Sequence, residues 1–121
     1  MPVRSLSSSV LRWPDSKEVA SAVRSWARNQ VDEHDTLISL GYFGSYARGD
    51  AGVGSDLDLV AIVDSSPLPF ERRSLDWDLG ELPVPAELLV YTRAEWDRMQ
   101  NGGSRFARAL GNETVWIWER R

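Results

Sequence analysis

The sequence predicts an α/β or α+β domain in which helices flank a small mixed central sheet. Three β-prone apolar segments, at residues 36–43, 57–63 and 86–91, alternate with segments that carry helix caps and helical spacing of apolar residues. The 121 residues suit one domain over 1–121, and six tryptophans supply much of its core. The expected order is helix, strand, strand, helix, strand, helix, helix, strand.

The first helix is predicted from Asp15 to Val31. Asp15 and Glu18 have the spacing of a capping box, and Pro14 precedes them. One face carries four apolar residues and one polar residue, which are Val19, Val23, Trp26, Ala27 and Gln30. Only Gln30 interrupts an otherwise apolar stripe.

The strands follow from the β-prone segments. TLISLGYF, residues 36–43, runs into Gly44, and the apolar segment from Leu57 to Val63 implies burial on both faces. AELLVY, residues 86–91, is the third strand. TVWIW, residues 114–118, is predicted as an edge strand.

Three more helices are predicted between and after these strands. One spans Pro67 to Leu82, with Ser65 or Ser66 as its cap and Leu75, Leu79 and Leu82 on one side. Thr92 and Glu95 form a second capping box, and that helix should end near residues 101–103. A short helix over Arg105 to Leu110 precedes a predicted turn at Gly111-Asn112.

Composition excludes several classes of protein. Eighteen acidic residues outnumber fourteen basic ones, and the net charge of −4 opposes non-specific binding to nucleic acid. No segment reaches the roughly 20 apolar residues that a membrane span needs. The absence of cysteine fits a reducing compartment, so we expect a cytoplasmic protein that does not bind a membrane.

An acidic pair stands at the start of the second strand. Asp56 and Asp58 share one face because side chains alternate along a strand, while Leu57 and Leu59 enter the core. Paired carboxylates repel each other unless a cation compensates, and oxygen ligands at this spacing suit Mg²⁺. The alternative is that the pair only solvates the end of a strand.

A glycine-containing turn precedes the pair. Gly44-Ser45 stands where a strand meets a short helical turn, and backbone N–H groups at such a point bind phosphate oxygens. Ser45 can add a hydroxyl donor, and Arg48 a guanidinium on the same side of the turn. The alternatives are an ordinary capped turn and a surface ion pair between Arg48 and Asp50.

A third acid, Glu87, lies one residue into the third strand. If that strand lies beside residues 57–63, Glu87 faces Asp56 and Asp58, and three acids on adjacent strands suit a pair of metal ions that serve phosphoryl or nucleotidyl transfer. The alternative is a solvated residue near the end of a strand.

Together these residues resemble the minimal nucleotidyltransferases of the DNA polymerase β superfamily. The family pattern is an apolar residue, Gly-Ser, a spacer of about ten residues, Asp-x-Asp in a strand and a further acid in a later strand. Phe43-Gly44-Ser45, residues 46–55, Asp56-Leu57-Asp58 and Glu87 match it, and Ala47-Arg48-Gly49 and Ser55 are also similar. The likeness covers roughly residues 35–100. The third acid is Glu where the family more often has Asp.

The resemblance implies the transfer of a nucleoside monophosphate, AMP from ATP, to an acceptor hydroxyl. In that scheme Gly44, Ser45, Arg48 and Ser55 bind the nucleotide, while Asp56, Asp58 and Glu87 are the catalytic residues and the ligands of two Mg²⁺ ions. Small members of the family resemble antitoxins whose partner is a HEPN ribonuclease toxin, and the acceptor would be a tyrosine of that toxin.

Other readings are also open. An antitoxin could neutralise a HEPN toxin by binding alone, and exposed apolar surface near Trp116 and Trp118 would suit a partner, although burial in the core is expected for both. Direct binding of nucleic acid has little support in an acidic chain with one lysine. His34, in an acidic stretch, is expected to be a surface residue. A homo-oligomer is compatible with the sequence.

Overall fold

A four-stranded mixed sheet forms the centre of the computed structural model, which describes residues 13–120. The predicted α/β class is confirmed. The predicted order of elements is kept, except that a one-turn helix lies between the first two strands and a 3₁₀ helix stands where a longer helix was expected. The strands lie in the order β3, β2, β1, β4; β1 is antiparallel to both β2 and β4, and β2 is parallel to β3. They span Leu37–Phe43 (β1), Leu57–Val63 (β2), Ala86–Thr92 (β3) and Val115–Glu119 (β4).

Within residues 13–120, four α-helices and one 3₁₀ helix accompany the sheet. They are α1 at Ser16–Glu33, α2 at Ser45–Arg48, the 3₁₀ helix at Phe70–Asp76, α3 at Arg93–Gly102 and α4 at Arg105–Glu113. Both predicted capping boxes are present, at Asp15 with Glu18 and at Thr92 with Glu95. Because each box fixes where a helix begins, α1 and α3 start where the sequence indicates.

The core lies between α1 and one face of the sheet. The predicted face of α1 is buried throughout, from Val19 to Gln30. On the sheet side the core consists of apolar residues that alternate along the strands, among them Leu37, Leu40, Leu57, Leu59, Ala61, Val63, Leu88 and Val90. Gln30 is the polar exception, and its side-chain Oε1 is buried without a hydrogen-bond donor among residues 13–120.

The predicted α-helix from Pro67 to Leu82 is wrong. Only the 3₁₀ helix forms there, after Pro69, and Asp78 then accepts a hydrogen bond from the Gly80 amide that turns the chain out of helical geometry. Trp77 and Leu82 reach the core from this irregular segment, whereas Leu75, expected on the same side, is 74% exposed. The burial of these residues therefore does not follow a helical period.

His34 is half-buried, which corrects its expected place on the surface. Its ring stacks on Trp77 with the ring centroids 3.8 Å apart, and burial lowers the pKa of the imidazole. Trp77 also packs near Trp26, whose indole N–H donates to the carbonyl of Asp78 at 2.6 Å. His34 thus belongs to the packing around Trp77.

The last helix is longer than predicted. Residues 111 and 112 continue α4 instead of turning, and Gly111 packs against α3, since a Cβ there would lie 2.7 Å from Oε1 of Gln100. The edge position predicted for the last strand is confirmed. Its Trp116 and Trp118 are both half-buried, and Trp118 packs against the core.

Within residues 13–120 no helix has the length and apolar character required to cross a membrane. At the outer edge of the sheet, the buried Arg73 donates to the carbonyl of Val90 in β3 at 3.1 Å.

Candidate functional site

A cavity of about 460 Å³ opens at the end of the sheet where β1 stops and β2 starts. Its volume lies within the range of ordinary small-molecule sites. Six of the residues predicted from the sequence line it, together with four others. The lining consists of Phe43, Gly44, Ser45, Arg48, Ser55, Asp56, Asp58, Phe106, Ala109 and Glu113.

The turn after β1 has the predicted form. Gly44 caps the one-turn helix α2 with φ 75°, a backbone conformation that favours glycine. Its carbonyl accepts from the amides of Ala47 and Arg48, both at 3.0 Å. The amides of Ser45 and Tyr46 have no helical carbonyl to bind, since a first turn supplies none.

Gly44 has a second role that the sequence did not reveal. A Cβ at this position would overlap Oδ2 of Asp58, so the carboxylate packs directly against the backbone of the turn. Glycine is therefore required at residue 44 both for its φ angle and for the close approach of Asp58. This contact joins the Gly-Ser turn to the acidic pair.

Asp58 and Glu87 lie on neighbouring strands, as predicted, and Asp56 immediately precedes β2. Asp58 is paired with Phe43 of β1 on one side and with Glu87 of β3 on the other. Paired residues on adjacent strands project from the same face of a sheet, so the carboxylates of Asp58 and Glu87 are neighbours. Asp56 and Glu87 are exposed and Asp58 is half-buried between them.

The electrostatics of Asp58 reflect this crowding. Burial raises the pKa of its carboxyl, and the charges of Glu87 and Asp56 raise it further. Arg48 is near enough to lower the same pKa, but its effect is the smallest of the four. The acids thus carry more negative charge than the neighbouring side chains balance.

Arg48 is half-exposed at the mouth of the cavity. Its guanidinium contacts Asp50 and Glu113, each at 3.2 Å, and its side chain is 48% exposed. The hydrogen bond to Asp50 is the main reason that the pKa of Arg48 is raised. The surface pair with Asp50 is therefore present, and Arg48 also lines the cavity.

Ser55 organises the loop between α2 and β2. Its hydroxyl accepts from the amide of Gly52 at 2.9 Å, and its carbonyl accepts from the Tyr46 hydroxyl at 3.4 Å. These bonds fix the residue that immediately precedes Asp56. Ser55 lines the cavity, where the family pattern indicated a nucleotide contact.

Two features differ from the expected site. Glu87 stands beside Asp58 but does not line the cavity. In residues 13–120, no three Asp, Glu, His or Cys side chains are already grouped as metal ligands. The carboxylates have the oxygen chemistry that Mg²⁺ prefers, and Asp56 and Asp58 face the cavity.

Sequence reasoning missed the wall of the cavity that α4 supplies. Phe106, Ala109 and Glu113 follow a helical spacing on one face of α4, beside the buried Ala107 and Leu110. This spacing was visible in the sequence. The sequence did not indicate what this face contacts, because only the packing of α4 places it above the turn after β1.

The fold and the site together define the class of protein. A mixed sheet whose first strand ends in a Gly-Ser turn, with paired aspartates on the next strand, is the arrangement of nucleotidyltransferases. The chain belongs to the nucleotidyltransferase domain family, whose model matches residues 24–109. No curated protein matches the chain.

Two solved structures have a similar fold. One is a candidate nucleotidyltransferase from Sulfolobus solfataricus, which aligns with a TM-score of 0.64 and 18% identity over 87% of this chain and 84% of that one. The other is a toxin-antitoxin structure with AMP-PNP, with a TM-score of 0.50 and 13% identity over 81% of this chain and 74% of that one. At these identities the likeness concerns the fold.

Proposed function

We propose that this protein transfers AMP from ATP to an acceptor hydroxyl on a partner protein, and that it acts in this way as an antitoxin. One observation carries the proposal: a single cavity is lined by Gly44, Ser45 and Arg48, whose groups suit phosphate, next to the carboxylates of Asp56 and Asp58. Family membership supports nucleotidyl transfer as the reaction.

The turn after β1 binds the triphosphate. The free amides of its first residues and the Ser45 hydroxyl donate to phosphate oxygens, and Arg48 contributes a positive charge. Arg48 already pairs with two carboxylates, so the phosphates compete with Asp50 and Glu113 for its guanidinium. Ser55 holds the loop that closes this side of the cavity.

The carboxylates fit divalent metal ions. Asp56 and Asp58 would hold two Mg²⁺ ions with Glu87, because Asp58 and Glu87 lie on adjacent strands, Asp56 immediately precedes β2, and the charge of these carboxylates is uncompensated. When bound, the ions neutralise phosphate charge in the transition state. Since the three side chains are not grouped as ligands, the exposed Asp56 and Glu87 must rotate toward Asp58.

The reaction is an in-line displacement. The acceptor oxygen forms a bond to the α-phosphorus as the bond from that phosphorus to the β-phosphate bridging oxygen breaks, and pyrophosphate leaves. The acceptor loses its proton to a base, for which Glu87 is the exposed carboxylate beside Asp58. Positioning and charge neutralisation supply most of the rate.

The partner is a HEPN toxin and the acceptor a tyrosine of that toxin. The resemblance of the sequence to minimal nucleotidyltransferases of this kind supports that assignment. The fold likeness to a toxin-antitoxin structure with AMP-PNP is consistent with it. We propose ATP as the donor of the AMP group.

Neutralisation by binding alone is the second candidate. Glu87 does not line the cavity and the three acids are not grouped as ligands, which favours a weak or inactive catalyst. In that case the protein would cover the toxin without modifying it.

One assay separates the two candidates. The protein is incubated with Mg²⁺, ATP and the purified product of a neighbouring toxin gene, and intact masses are measured. Transfer adds the mass of one AMP to the toxin, and Asp58→Asn abolishes the addition while the exposed Asp97→Asn does not. A stable complex of unmodified mass supports binding alone, and addition that persists in Asp58→Asn contradicts the assigned mechanism.

A further inference from the structure

The cavity has two chemically different walls. One is polar and consists of the Gly44-Ser45 turn, Arg48, Ser55 and the two aspartates. The other is apolar and consists of Phe43, Phe106 and Ala109. A ligand that contacts both walls must combine an anionic part with a flat or apolar part.

Phe106 dominates the apolar wall. Its side chain is 49% exposed, although it belongs to a helix whose neighbouring residues Ala107 and Leu110 are fully buried. Its ring meets that of Phe43 edge to face, with the two ring centroids 6.4 Å apart and the planes at 82°. An edge-to-face contact of this kind fixes the orientation of the ring and leaves ring surface open.

The helix that carries Phe106 is firmly anchored. Ser104 caps it by accepting from the Ala107 amide at 3.1 Å, and Gln100 of α3 donates to the Ala107 carbonyl at 2.9 Å. At the far end Glu113 pairs with Arg48 of the phosphate-binding turn. Phe106 is thus held at a defined position relative to that turn before any ligand binds.

We propose that Phe106 is the platform on which the base of the bound nucleoside triphosphate stacks. This inference rests on the proposed function, because the polar wall must bind the triphosphate for the base to reach the apolar one. Aromatic side chains stack on any nucleobase, and such contacts tolerate differences in sequence and base. Phe106 is therefore a nucleotide-binding residue that selects for a base without reading its edge.

The test compares a ligand that has a base with one that lacks it. Dissociation constants are measured by calorimetry with Mg²⁺ for ATP and for inorganic tripolyphosphate. Stacking on one aromatic side chain is worth roughly 1–3 kcal/mol, so Phe106→Ala should weaken ATP binding about 5- to 150-fold. Tripolyphosphate affinity should stay within about twofold of the unmodified protein, on the same stacking argument.

Three variants sharpen the result. Phe106→Tyr retains the ring and should bind ATP as the unmodified protein does, whereas Phe106→Leu keeps apolar bulk without a ring and should behave like Phe106→Ala. Phe70→Ala is the matched control, because Phe70 is also exposed but packs near Tyr91, outside the residues that line the cavity. It should leave both affinities unchanged.

The outcomes separate this inference from the proposed function. If the unmodified protein binds neither ATP nor tripolyphosphate, both fall. If it binds ATP and Phe106→Ala binds ATP equally well, or loses affinity for both ligands in the same proportion, only the stacking role is overturned. Normal ATP binding by Phe106→Leu also overturns it.

Discussion

The two ends of strand β3 differ in whether their carboxylates are paired with positive charge. At its start Glu87 stands beside Asp58, and the acids there have too little positive charge around them. At its end Glu95 meets the buried Arg73 in a two-pronged ion pair with distances of 2.6 and 3.2 Å. Arg73 also donates to the carbonyls of Leu68 and Val90.

The direction of the pKa shifts records this difference. The hydrogen bond from Arg73 lowers the pKa of Glu95 from 4.5 to about 2, whereas burial and like charges raise the pKa of Asp58. A satisfied charge pair stabilises its part of the fold, and an unsatisfied group is kept where a ligand will complete it. The comparison therefore separates a structural cluster from the cluster that we propose to be functional.

The largest expected effect is on the rate of nucleotidyl transfer, and it follows from a substitution of Glu87 at the start of β3. Glu87→Gln removes the charge and the base and should reduce nucleotidyl transfer roughly a thousandfold, about 4 kcal/mol of transition-state stabilisation. Glu87→Asp, which shortens the side chain by one methylene, should retain part of the activity. Steady-state rates measure both, with the exposed Glu81→Gln as control. Normal transfer by Glu87→Gln would remove this residue from the mechanism.

At the end of β3, where Arg73 pairs with Glu95, we expect a substitution to reduce the stability of the fold. Arg73→Met leaves Glu95 without its cation and the Val90 carbonyl without its donor, so the free energy of unfolding should fall by about 3 kcal/mol. Urea denaturation measures the change. The adjacent Arg72 is exposed, and Arg72→Met should alter the unfolding free energy by less than about 0.5 kcal/mol. Equal effects of the two substitutions would refute the structural role of Arg73.

Acid should weaken the structural end in a defined pH window. Because the pKa of Glu95 is lower in the folded state, its stabilisation is complete above pH 4.5 and is lost as the pH falls toward 2. Glu95 is 31% exposed and screened by solvent, so we expect about 1 kcal/mol. Urea midpoints measured from pH 6 to pH 2 should change less in Glu95→Gln than in the unmodified protein; parallel curves would contradict this.

The smallest expected effect is a gain in stability. Asp58→Asn removes one charge from the crowded acids and should raise the free energy of unfolding by up to about 1 kcal/mol while it abolishes transfer. Thermal and urea unfolding without added metal measure the gain. A loss of stability would mean that the Asp58 carboxylate is satisfied in the fold.

Much of the fold could be predicted because its signals are local. Caps such as Asp15 with Glu18 and the apolar strand from Leu57 to Val63 determine structure within a few residues. The segment from Pro67 to Leu82 could not, because the burial of Trp77 and Leu82 depends on distant parts of the chain.

The residues of the candidate site also divide into those that local sequence predicts and those that only the tertiary fold brings together. The Gly-Ser turn and the aspartate pair lie within one motif, residues 44–58, in which strand periodicity places Asp56 and Asp58 on one face. Phe106 and Glu113 reach the same cavity from a helix about 50 residues further along the chain, and the contact of Asp58 with Gly44 depends on packing between strands. Only the tertiary fold supplies that information.

The hydrogen bond from Arg73 to Val90 has a consequence for assembly. β3 is an outer strand, and the exposed main chain of an outer strand is a template on which a foreign strand can extend a sheet. At Val90 the acceptor is already occupied by a guanidinium that Glu95 holds in place. A molecule that continued the sheet along β3 would therefore have to compete with this guanidinium at Val90.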